Sequence, residues 1–265
     1  MIIVRWRRPV LFGAPAVTAL VNAGHPIVFP PIYAAVQHHM PWWLALHVLN
    51  LLLFPAVGFA AYLLVRRCQG RAASLARAAI ACFVPLYAAF DSLAGIGTGV
   101  LVRHASRITP ADPSAFGALL DAYWGDPVLL GVGAAGSLAW VVAMLASAVA
   151  VTESERRRRA GIAAALILVV IGVARVVLFQ VPGVAAIQPV WWVVTLGCGV
   201  MMALVARPSV PAALLTLAGA LFGATHVTPT GPLGLGCFLA AVNLIERSRS
   251  DDPSKVRAMP KARAA

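Results

Sequence analysis

Apolar runs of membrane-crossing length follow one another along nearly the whole chain. They lie at roughly 10–32, 42–65, 75–101, 127–151, 160–181, 189–206, 210–225 and 231–246. In hydrocarbon every backbone N–H and C=O must be satisfied within the protein, so only helices and closed barrels cross. Runs of about 20 residues suit helices, whereas tilted barrel strands need only about 9–11. The expected fold is therefore all-α: a polytopic transmembrane helical bundle of about eight spans, with six or seven as alternatives. The last two runs sit near the lower length limit for spanning and can instead form one hairpin that dips into the bilayer.

Composition points the same way. Of 265 residues, 61% are hydrophobic and 11% charged, and the mean hydropathy is +0.86. Soluble domains carry roughly 25% charged residues. Residues 1–246 are read as one transmembrane domain. Residues 247–265 are read as a basic, disordered cytoplasmic tail, because their polar, Pro-containing sequence cannot bury a core. The opening MIIVRWRRPV has the layout of a signal peptide, but no A-x-A site follows cleanly, so a retained first helix is expected. Four prolines (Pro15, Pro26, Pro30 and Pro31) make that first segment irregular, and the part after His25 is expected to be broken.

The net charge of +12 does not call for nucleic acid, because the basic residues stand in short runs between apolar segments. With the N-terminus inside and eight crossings, 18 of the 21 basic residues fall on the inner side: Arg5, Arg7, Arg8, Arg66, Arg67, Arg71, Arg77, Arg156 to Arg159, Arg207, Arg247, Arg249, Lys255, Arg257, Lys261 and Arg263. That bias gives an N-in, C-in orientation in a plasma membrane of bacterial type, with anionic lipid head groups as the partner of the inner face. None of the four cysteines has a CxxC or zinc-like spacing, and no disulfide is expected.

One run is unusual. Phe83–Leu101 reads FVPLYAAFDSLAGIGTGVL and carries a carboxylate, Asp91, in mid-membrane. Such a charge is costly without a partner, so it marks a pairing or functional site. Gly95 and Gly99 form a small-xxx-small surface that lets another helix approach. On a straight helix Asp91, Gly95 and Thr98 share one face. The glycines are not a phosphate loop, since the strand, lysine and Ser/Thr of that motif are missing.

At 1.5 Å per residue, Asp91, Arg175, His25 and His226 each lie on the order of 22–24 Å above the inner end of their segments, and His47 lies about 8 Å below its outer end. These residues and Asn50, three positions after His47, are expected to line an outward-facing polar pocket. Arg175 is the expected ion-pair partner of Asp91. His47, Asp91 and His226 are candidate ligands for a metal such as zinc, since neutral imidazole and carboxylate are suitable donors. No HxxxH or HExxH accompanies them, so no cofactor is expected to be obligatory. A bis-histidine haem site lacks any supporting motif.

Three functions suit this pattern. The leading one is a small transporter or sensor in which Asp91 and the histidines take up protons or an ion. The second is an intramembrane metal-dependent hydrolase with metal-bound water as nucleophile. The third is a membrane scaffold subunit whose polar layer is structural.

Overall fold

The computed structural model describes residues 2–28, 31–105, 107, 113–151 and 210–251. Every regular element among them is helical. In chain order they are α1 (Ile2–Ala23), α2 (Ile32–His38), α3 (Met40–Val65) and α4 (Arg71–Asp91), then a π-helical turn (Ser92–Gly97) that runs on into α5 (Thr98–Ala105). After these come α6 (Pro113–Trp124), α7 (Pro127–Ala150), α8 (Val210–Ala224) and α9 (Thr230–Asp251). The expected spans at 160–181 and 189–206, and Arg175 with them, lie outside the described residues.

Three helical elements are long and apolar enough to cross a membrane: Met40–Val65, the continuous Arg71–Ala105, and Pro127–Ala150. The protein is read as a membrane protein on their account. α8 is apolar but shorter. α1 and α9 carry charge at one end. α1 also departs from its expected limits. It begins at Ile2 and ends at Ala23, and Pro9 and Pro15 lie inside it without ending it. The break falls at Gly24, ahead of the Pro26 region, and residues 24–28 are not helical.

Close packing rests on glycine wherever two helices meet tightly. A Cβ on Gly136 of α7 would stand 3.1 Å from the Tyr87 backbone nitrogen of α4, and one on Gly234 of α9 would stand 2.7 Å from the Phe222 nitrogen of α8. The small-xxx-small surface of Gly95 and Gly99 receives α3: a Cβ on Gly99 would meet Leu44 and Trp43. The main core is aromatic, with Phe54, Phe83, Tyr87, Trp140, Phe222 and Phe238 all buried. Trp140 Nε1 donates to the Ala218 carbonyl at 3.1 Å, tying α7 to α8. Lipid tails are as apolar as these side chains, so the contacts are held by close packing, with dispersion summed over many atom pairs.

A second, smaller apolar cluster joins Ile32, Val36, Trp43, Val102 and Leu120. It is built by α2, α5 and α6 around the upper end of α3. The Arg71–Ala105 element, at about 1.5 Å per residue, is longer than a hydrocarbon core of about 30 Å, which leaves α5 to carry this cap. Asp121 of α6 accepts from the Ile32 N–H at 3.0 Å, so it caps the start of α2. Asp126 does the same for α7, accepting from Val128 N at 2.8 Å.

The opposite end of the bundle is tied by arginines. Arg7 of α1 grips Glu246 of α9 in a bidentate pair, with Nη2 to Oε1 at 2.7 Å. Arg249 adds a bond to Glu246 at 3.0 Å and one to the Leu64 carbonyl at 3.4 Å. Arg77 reaches the Cys68 carbonyl at 3.1 Å. The start of α1, the end of α3, the start of α4 and the end of α9 thus share one face.

Candidate metal centre

Between the main core and the upper cap, side chains from four separate segments meet. His25 stands in the loop after α1, His47 on α3, Asp91 at the end of α4, and His226 in the turn between α8 and α9. All four are buried, Asp91 to 1% exposure. Each histidine offers a ring nitrogen, and the three ligand atoms lie within 4.8 Å of one another. His226 Nε2 is 3.7 Å and His47 Nε2 3.9 Å from Asp91 Oδ1.

Each position has a local cause. A Cβ on Gly95 would overlap the His47 ring, so the glycine of the Asp91 segment makes room for the imidazole of α3. The π-helical turn holds an extra residue per hydrogen-bonded ring, and two of its carbonyls accept from side chains of neighbouring helices. Trp43 Nε1 donates to Gly95 O at 2.8 Å, and the Tyr123 hydroxyl donates to Leu93 O at 2.9 Å. The turn also breaks the register of a straight helix between Asp91 and Thr98, yet Asp91, Gly95 and Thr98 are all buried. A Cβ on Gly231 would strike the His226 backbone, so this glycine permits the tight turn that carries His226.

The imidazoles are held by their Nδ1 atoms. His25 Nδ1 lies 2.7 Å from the Pro26 carbonyl and His47 Nδ1 2.7 Å from the Trp43 carbonyl. A carbonyl only accepts, so in the neutral ring the proton sits on Nδ1 and Nε2 keeps its lone pair. His226 Nδ1 lies 2.9 Å from the Tyr87 hydroxyl. His25 Nε2, His226 Nε2 and both Asp91 oxygens are buried with no hydrogen-bond partner among the described residues. Buried polar atoms are nearly always paired, and orphans of this kind call for an ion or a water to satisfy them.

The donor set suits a metal. Three imidazoles and a carboxylate are a borderline zinc-type set, and ligand hydrogen bonds of this form are the usual outer support of such sites. With bonds of about 2.0–2.2 Å, neighbouring ligands of a tetrahedral zinc stand roughly 3.3–3.5 Å apart. Asp91 is not one of the three mutually close donors; its Oδ1 stands beside them, 3.7 and 3.9 Å from two of the imidazoles.

Asn50 lies beside Asp91 and pairs with another amide. Asn22 Nδ2 donates to Asn50 Oδ1 at 3.0 Å, and Asn50 Nδ2 donates to Asn22 Oδ1 at 3.2 Å. The pair ties α1 to α3 just below His25. Sequence reasoning missed Asn22 and Tyr87. Asn22 had a visible signal, since it is an amide in an apolar run four residues after Thr18. Among the described cysteines, Cys68, Cys82 and Cys237 are free and stand outside the cluster. Comparison of the chain with protein-family models, curated proteins and solved structures returns no match.

Proposed function

We propose that this is an integral membrane protein that binds a divalent transition-metal ion of the zinc class through His25, His47, His226 and Asp91. The reading is carried by one observation: buried imidazoles with occupied Nδ1 atoms converge beside a buried carboxylate whose oxygens have no hydrogen-bond partner within bonding geometry among the described residues. An ion supplies what those atoms lack and offsets the cost of a buried charge. It favours the ion-handling role, transporter or sensor, over chemistry. In this reading Asp91 takes the fourth position that a hydrolase keeps for water, and closed four-ligand sites are those that hold rather than react. In this reading the arginine-rich end faces the cytoplasm, in a plasma membrane of bacterial type, and the centre lies toward the outer face.

Elemental analysis of the detergent-purified protein after zinc exposure tests this. Wild type is expected to retain one zinc per chain, and His47→Ala and His226→Ala none. Asp91→Asn is expected to lose most of it, and to abolish zinc uptake into proteoliposomes if the ion is transported. Absence of zinc in the wild type would overturn the reading. Full zinc retention in Asp91→Asn would move the assignment to the hydrolase, with Asp91 outside the coordination sphere.

A further inference from the structure

The three candidate imidazole ligands are not secured alike. His25 and His47 are each tied to a main-chain carbonyl of their own segment, Pro26 beside it and Trp43 one turn earlier. His226 is tied across the bundle, to the phenol of Tyr87 on α4. The chemistry of the two kinds of tie differs. A carbonyl fixes one tautomer, whereas a phenol can accept a proton bond or give one. When His226 Nδ1–H donates to the Tyr87 oxygen, Nε2 presents its lone pair. When the phenol donates to Nδ1, the proton of the neutral ring sits on Nε2, and that atom cannot bind a metal.

Tyr87 itself is held in place. It is 1% exposed. Its ring meets Phe54, Phe83 and Phe222 at centroid distances of 4.9, 5.2 and 5.7 Å. The α7 backbone at Gly136 closes the remaining side. The phenol oxygen is therefore a fixed point against which the His226 ring is oriented.

We propose that Tyr87 is a positioning residue for the metal centre: its hydroxyl accepts from His226 Nδ1 and so holds the tautomer whose Nε2 can bind the ion. This rests on the metal-binding reading above.

The test uses the full chain in lipid nanodiscs, with zinc affinity measured against a competing chelator. Tyr87→Phe keeps the aromatic packing and removes only the hydroxyl. It is expected to weaken zinc binding by about tenfold to a hundredfold, the usual effect of losing an outer-shell partner, while one zinc still binds at saturation. In the zinc-free protein, the 15N shifts of His226 are expected to move from the Nδ1-protonated pattern toward a mixture of tautomers. Trp140→Phe is the control. It removes a buried hydrogen bond in the same core and is expected to lower thermal stability without changing zinc affinity. Equal affinity in Tyr87→Phe and wild type, or an equal loss in Trp140→Phe, would overturn the assignment of Tyr87. Zinc bound by the wild type in either case would leave the metal-binding reading standing, and absence of zinc in the wild type would remove both.

Discussion

Gly95 has no side chain because the His47 ring occupies that volume. Replacing it with alanine forces the imidazole out of line or pushes α3 away from the π-helical turn. Gly95→Ala is expected to cost about 1–3 kcal/mol by overpacking, with loss of bound zinc, read by thermal unfolding and metal content together. Gly131→Ala, where a Cβ meets no atom within 4 Å, is expected to change neither. Residue identity alone brought Asp91, His25, His47 and His226 forward, because ionisable groups are rare in apolar runs and stand out when they occur. Their assembly rests on small residues and on ring orientation, which hydropathy does not record. Tyr87 sits four positions before Asp91 in the most unusual stretch of the chain, yet a tyrosine in an apolar run reads as core. The 2.9 Å bond to His226 is what ties it to the cluster. The expected partner of Asp91, Arg175, lies outside the described residues, and among those residues the carboxylate faces histidines instead.

Helices α3 and α7 follow closely the limits that their apolar runs and flanking prolines set. Departures occur where the backbone leaves the ideal α form. Ser92–Gly97 is π-helical, which a straight-helix count from Asp91 to Thr98 cannot anticipate. Two of the turn's carbonyls, those of Leu93 and Gly95, accept from side chains of α6 and α3. Deleting Leu93 removes the extra residue that the wide turn accommodates, closes it to α-helical spacing and shifts Gly95 against Trp43 and His47. The expected result is loss of zinc binding and a red shift of tryptophan fluorescence, with helical content by circular dichroism unchanged. Helices α8 and α9 form a hairpin whose tip stands level with Asp91 and His47. Short apolar runs and a THVTPTGP turn made a hairpin legible, but not that its tip would carry a candidate ligand to the middle of the bundle.

Across the whole molecule, polar function is divided between two ends. The candidate metal centre lies under the cap of α2, α5 and α6, and the Arg7–Glu246–Arg249 cluster closes the other end. Basic residues were expected at that end from charge distribution. The acid they converge on was not, since Glu246 reads as the edge of a polar tail. Glu246→Gln leaves Arg7 half-buried without its counter-charge and is expected to destabilise the bundle by about 1.5–3 kcal/mol, the range for bonds to charged groups. Zinc stoichiometry is expected to stay at the wild-type value, because no candidate ligand touches the cluster. Chain order has its own effect on the metal centre. His25 belongs to the first loop and His226 to the last turn, so the donors lie near opposite ends of the polypeptide. A ribosome delivers the first of them long before the last, so the three-histidine set is complete only once the α8–α9 hairpin has been made and packed.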